Sequence, residues 1–163
     1  MIAGILKAIA FLVVLVVVAV GALFAYARFH DGPIALIPGG PLVAGELVTT
    51  PVADWSFAKD VNEIALQLAY EKSSRTTWIL VKDGAAYIPC SLEFPPGKRW
   101  HLAADKDGAA TVRIDGKLYP VTLVRVKDEA LQKDLGQIAL AKYMNGQPPR
   151  GGGVWFFKLE PRG

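Results

Sequence analysis

The sequence predicts a mainly β domain, a small barrel or strongly curled antiparallel sheet with one substantial helix, behind a single transmembrane helix. Three observations predict it. A twenty-residue apolar run lies near the N-terminus, two Asp-Gly pairs separate β-rich stretches, and one long later segment has helical spacing. At 163 residues the chain suits one domain, or a small domain with an appendage.

The first element is the apolar run. Residues 8–27 read AIAFLVVLVVVAVGALFAYA, with no charge in twenty positions. At 1.5 Å per residue this is about 30 Å of helix, the thickness of a bilayer's hydrocarbon core. Lys7 and Arg28 mark its ends, and Tyr26 and Phe29 stand where interfacial aromatics are expected. Apolar on every side, it cannot lie on a membrane surface as an amphipathic helix. Ala25-Tyr26-Ala27 has the small residues of a signal-peptidase site, but the run exceeds the roughly 7–15 residues of a signal core. Length therefore favours an anchor, residues 1–30, that is kept. Bases are almost balanced across it, with Lys7 and the terminal amine against Arg28, His30 and Asp31. The small bias left over places the chain once across an inner membrane, with its domain on the periplasmic side.

Residues 31–45, DGPIALIPGGPLVAG, hold three prolines and four glycines and read as a linker whose apolar residues pack on something. Residues 46–163 then form one domain. Glu46–Val52 is rich in β-branched residues, and Asn62–Tyr70 fits helix or strand. Thr76–Val81 and Ala85–Cys90 flank Asp83-Gly84, which predicts a two-residue hairpin. Ala110–Ile114 and Lys117–Val126 repeat the device around Asp115-Gly116. Gly97–Ala104 reads as a short helix after Pro95-Pro96. Asp128–Met144 reads as the main helix, capped by Asp128 and stopped at Gly146. A Pro/Gly loop, QPPRGGG at 147–153, leads to a closing strand at Val154–Leu159.

Composition excludes several functions. One cysteine, Cys90, rules out an internal disulfide framework and multi-cysteine metal sites. Two histidines leave little room for a histidine metal centre, so no metal is expected. The charge of +3 is too weak and scattered for nucleic acid. No serine has a histidine or a glycine elbow beside it, and no phosphate-loop pattern is present. Cys90, beside Pro89 at the end of an apolar strand, reads as a buried structural thiol.

Two basic stretches stand out. Lys72-Ser73-Ser74-Arg75-Thr76-Thr77 precedes the strand of Trp78, and Pro95-Pro96-Gly97-Lys98-Arg99-Trp100 opens the short helix. Each sets cations and backbone amides beside a tryptophan, the donors and apolar wall wanted by a phosphate-bearing aromatic ligand. Solvated loop charges beside core tryptophans explain the same residues.

RTTWILVKDGAAYIPCS, then PPGKRWHLAADKDGAATVRIDGKLYPVTLVRVKD, resembles the split β-barrel superfamily of pyridoxamine-phosphate-oxidase-like and deazaflavin-dependent reductases. The likeness covers about residues 46–145, and DWSF at Asp54–Phe57 fits bacterial members. It implies a six-stranded barrel that dimerises and binds FMN or a deazaflavin in a groove between subunits. It further implies that Arg75, Thr76, Thr77, Lys98 and Arg99 hold the cofactor phosphate, with Trp100 beside the ring. A full Gly-Arg-Lys phosphate loop before Thr76 is missing, and such a barrel persists on losing its cofactor.

Two functions follow as expectations. One is an anchored flavin or deazaflavin reductase acting on a quinone-like or other lipophilic acceptor. The other is a non-catalytic accessory subunit of a larger membrane complex, docked through IALIPGGPLVAG or VWFF. Intact-mass measurement of the membrane-extracted protein tests the anchor. Residues 8–27 should be retained, and a mature N-terminus at Arg28 would contradict the reading.

Overall fold

The computed structural model describes residues 2–146 and 152–162. Helix α1 (Ile2–Phe29) is 28 residues and about 42 Å long. It is long and apolar enough to cross a bilayer, and none of its most apolar window is buried against the rest of the chain. The domain that follows is mainly β, a nearly closed barrel.

Its strands are β1 (Glu46–Leu47), β2 (Glu63–Leu68), β3 (Arg75–Trp78), β4 (Leu80–Lys82), β5 (Ala85–Ser91), β6 (Ala109–Ile114), β7 (Lys117–Arg125) and β8 (Val154–Pro161). Helices α2 (Trp100–Ala104) and α3 (Glu129–Tyr143) complete it. The sheet runs β3-β2-β6-β7-β8-β5-β4, and β1 adds a short parallel pairing to β7. Its two edges, β3 and β4, are parts of one chain segment separated only by Ile79. Counting that segment once gives six strands around the barrel.

This corrects one expectation. Thr76–Val81 does not pair throughout with Ala85–Cys90. Thr76–Trp78 pairs with β2, with Ala65 opposite Thr76, and only Leu80–Lys82 pairs with β5. Inside–outside alternation nevertheless continues through the switch. Ile79 and Val81 pack on the inner cluster, while Leu80 packs under α3 on the outer face. A curled strand that changes partner halfway is how a short sheet closes on itself.

Both Asp-Gly pairs form the turns expected of them. Asp83 and Gly84 have φ of 51° and 74°, Asp115 and Gly116 of 48° and 76°, the double positive φ of a tight hairpin. Other elements are shorter than expected. β1 stops at Leu47, and β8 takes the same edge of β7 from Val121 onward; α2 begins only at Trp100. Asn62–Tyr70 resolves as strand, its Ile64, Leu66 and Leu68 alternating into the core. Asp128 caps α3 by accepting from the Leu131 N–H at 2.7 Å. The expected loop at 147–153 falls mostly on 147–151, outside the described residues.

Two apolar clusters hold the domain. The inner one fills the barrel with Leu66, Leu68, Ile79, Ile88, Val112, Val121, Phe157 and their neighbours. The outer one, Leu80, Tyr87, Val126, Leu135 and Phe156, joins the barrel wall to α3. α3 also ends on the seam. The Tyr143 hydroxyl accepts from the Ile79 N–H at 3.2 Å and keeps its proton within reach of the Ile79 and Asn62 carbonyls, at 2.6 and 2.8 Å. The Lys142 ammonium points three donors at the carbonyls of Lys59, Val61 and Ile79, at 2.8, 2.6 and 3.1 Å. Trp78 stacks on Tyr143, ring centroids 4.3 Å apart and 8° from parallel.

Residues 31–45 run as a strap over the outer faces of β2, β3 and β6. Gly39 and Ser74 exchange backbone bonds at 3.0 and 3.1 Å, the buried Ser74 hydroxyl donates to the Gly40 carbonyl at 2.6 Å, and Leu42 N–H donates to Gln67 at 2.8 Å. Arg113 forms a 2.8 Å ion pair with Asp31, whose carboxylate also accepts from the Val43 N–H at 2.7 Å. A Cβ on Gly39 would collide with the Gly32 carbonyl, so only glycine lets the strap fold back there.

Tyr143→Phe should lower stability by about 1–3 kcal/mol, because it strands the buried Ile79 amide without a partner. Urea unfolding of the detergent-solubilised protein, followed by tryptophan fluorescence, reads the effect. An unchanged midpoint would mean that the hydroxyl does not secure the seam.

Candidate functional site

One end of the barrel is stoppered by α2. Inward parity on the strands brings Arg75 of β3, Cys90 of β5, Arg125 of β7 and Trp155 of β8 to this end, and α2 lays Trp100, His101 and Ala104 across it. Trp100 packs on Phe157 at 5.6 Å between centroids, and His101 meets Trp155 edge-on at 5.2 Å.

Three of the six residues singled out from the sequence come together here. The Arg75 guanidinium stands 5.7 Å over the Trp100 ring, opposite Leu66 on the inner face. Lys98 lies close enough to Cys90 and to His101 for its charge to act on both. The other three differ. Thr77 shares the inward face of Arg75, opposite Ile64, without joining the Trp100 contact. Thr76 faces outward and donates to the Ala35 carbonyl of the strap at 2.6 Å. Arg99, preceding α2, is exposed to solvent.

The charges at the mouth are unevenly matched. Arg75 pairs with Glu71, four residues earlier in the loop before β3, and its buried Nε has no partner among the described residues. Arg125 pairs with Asp105 at 3.3 Å and lies flat on Trp155 at 3.3 Å. Among the described residues, Lys98 and Arg99 have no carboxylate partner. The Lys98 ammonium instead donates to the Phe94 carbonyl. Lys98, at the rim of an aromatic-walled mouth, has further donors that an anion could use, and Arg99 next to it in sequence faces solvent.

Burial pushes the Cys90 thiol up, and Lys98 and Arg75 pull only part of that shift back. The sulfur therefore stays protonated at neutral pH, which makes it a wall and not a nucleophile. Burial, with help from the charges of Lys98 and Arg125, holds the His101 imidazole below its ordinary value of 6.5. Its Nδ1 has no hydrogen-bond partner among the described residues.

Glu71, His101 and Arg125 were not singled out from the sequence, and Trp155 entered only within VWFF as a docking surface, a role its buried Phe156 and Phe157 do not fit. Parity carried the missing signal for two of them. Arg125 continues the inward series of Tyr119, Val121 and Leu123, and Trp155 precedes the inward Phe157 and Leu159. Two open surface depressions lie elsewhere. One, of ≈ 430 Å³, is at Trp55, Gly84 and Lys158, and one, of ≈ 460 Å³, at Asp60, Ile138 and Lys142.

No protein-family description matches this chain, and no curated protein does. Among solved structures it is similar to a candidate general stress protein 26 from Jannaschia sp. CCS1. That match has 16% identity over 67% of this chain and 71% of the other, with a TM-score of 0.49. It is also similar to a candidate pyridoxamine 5′-phosphate oxidase from Listeria innocua. Here identity is 12% over 62% of this chain and 82% of the other, with a TM-score of 0.45.

His101 generates a pH prediction. The unfolded chain takes up its proton near the ordinary value, while the folded chain resists until a lower pH. The unfolded state therefore binds more protons in that window, and stability falls as pH drops from about 7 towards about 5. Urea unfolding across this range should show the fall, and His101→Gln should flatten it. Equal slopes in the two proteins would contradict the assignment.

Proposed function

We propose that this protein is a membrane-anchored barrel that binds a phosphate-bearing flavin-type cofactor, FMN or a deazaflavin, at the mouth stoppered by α2. The observation that carries the reading is the charge arrangement there. Arg75 and Arg125 each have a carboxylate, while Lys98 and Arg99, next to Trp100, have none among the described residues. The donor set fits such a ligand. Lys98 and Arg99 would hold its phosphate, Arg75 would keep Trp100 in place from the inner side, and the indole would border its ring system. Thr76 is left out of this reading because the strap occupies it.

A flavin-type group would supply hydride chemistry, and the chain's part is to bind and orient it and to keep water from the apolar side of the mouth. With α1 in an inner membrane, the domain works beside a store of lipophilic, quinone-like acceptors, and these are the acceptors we assign to it. A homodimer would bring a second mouth and further cations to the ligand.

One observation favours a second reading. Glu71 already neutralises Arg75, so the mouth holds fewer free cations than the sequence suggests. A barrel without cofactor, serving as accessory subunit in a membrane complex, would need no more.

The protein purified in mild detergent should show a flavin or deazaflavin spectrum, or should acquire one on titration. Lys98→Ala and Arg99→Ala should each weaken binding by about 1–3 kcal/mol, the usual loss for a charge-assisted contact. A colourless protein that takes up neither cofactor and co-purifies with other membrane proteins would give the accessory reading precedence.

A further inference from the structure

We propose that the strap at 31–45 is a second membrane contact, lying in the headgroup layer and seating the barrel on the bilayer beside α1. This rests on α1 being a membrane anchor and is independent of any cofactor.

The strap has two unlike sides. Its polar groups are taken up by the barrel, through Ser74, Thr76, Gln67 and Arg113. The side chains left outside are apolar. Leu36 at the tip of the Ile34–Ile37 turn is 84% exposed and Val43 73%, and Phe29, the end of α1 just before the strap, is 89% exposed. In water these are unfavourable, and grouped on one short segment they mark a contact surface.

Continuity identifies the bilayer as what covers them. Phe29 is the last residue of the apolar helix, and Val43 is held by its amide to Asp31, two residues beyond. The apolar side of the strap therefore begins where the spanning helix ends. Tyr26 is exposed at the same junction, as are the cations Arg28 and Lys72, a combination suited to anionic headgroups.

The placement is fixed by bonds. Ala27 is buried, Arg28 donates to the Lys72 carbonyl at 3.0 Å, and the Gly40 N–H donates to the His30 carbonyl at 2.8 Å. Arg75 is three residues beyond Lys72, so their Cα atoms are at most about 11 Å apart. With the strap in the headgroup layer, Arg75 would lie within about 11 Å of the Arg28–Lys72 junction, in reach of amphiphilic molecules from the lipid.

The test uses the full chain in phosphatidylcholine–phosphatidylglycerol vesicles, with Leu36→Cys carrying an environment-sensitive fluorophore. Cys90 is buried and is spared by the label. Lys133→Cys, exposed on α3 across the barrel, is the comparison. The label at 36 should be blue-shifted, shielded from aqueous iodide and quenched by a headgroup-level spin-labelled lipid, and the label at 133 should show none of these. Equal iodide access at both sites in carbonate-resistant protein would overturn the strap contact and leave the anchor standing. Shielding at 36 without lipid quenching would mean that a protein covers the strap, which also overturns it. Release by carbonate would remove the anchor and the inference together.

Discussion

The barrel depends on how one chain segment serves as both of its edges. The sheet would end in two free edges if β3 and β4 came from separate strands, but residues 75–82 are one segment that gives its first half to β2 and its second half to β5. The switch leaves Ile79 outside both ladders, with a buried amide and carbonyl that need partners. Tyr143 and Lys142 supply them from the end of α3, and burial pushes the Tyr143 phenol up to about 12, so its proton is kept across the physiological range. The helix is thus both a cover for the outer apolar cluster and the polar fastening of the seam.

That fastening also positions the candidate site. Because β3 reaches the seam in phase with β4, Arg75 faces inward at the stoppered end, over Trp100. The carboxylates are unevenly shared among the cations. Glu71 and Asp105 pair with Arg75 and Arg125 at the rim, while Lys98 and Arg99 on the approach to α2 have no carboxylate partner among the described residues. An ion pair at a partly open rim adds little stability, so its main effect is to set the direction of two guanidinium groups against two indoles.

Much of this was legible in the sequence. The Asp-Gly pairs and the Asp128 cap are local signals, and each produced the turn or cap expected. The switch at Ile79 was not legible, because TTWILV has the pattern of one uninterrupted strand and the change of partner is imposed by barrel closure. The site was legible in part. Lys98 and Trp100 were visible two residues apart in one basic stretch, and Arg75 in another that precedes Trp78. Glu71, which answers Arg75, and Thr76, which answers the strap, take roles set by tertiary neighbours. The strap itself read as a linker, since its Pro and Gly content announces irregular backbone and conceals how firmly that backbone is bonded.

Peptide-resolved hydrogen–deuterium exchange of the full chain in detergent tests the closure most directly. The paired amides of residues 75–78 and 80–82 should exchange as slowly as those of β6 and β7, and Tyr143→Phe should speed both halves together. Rapid exchange of 80–82 beside a protected 75–78, or no response of either half to Tyr143→Phe, would show that the barrel is open at this seam.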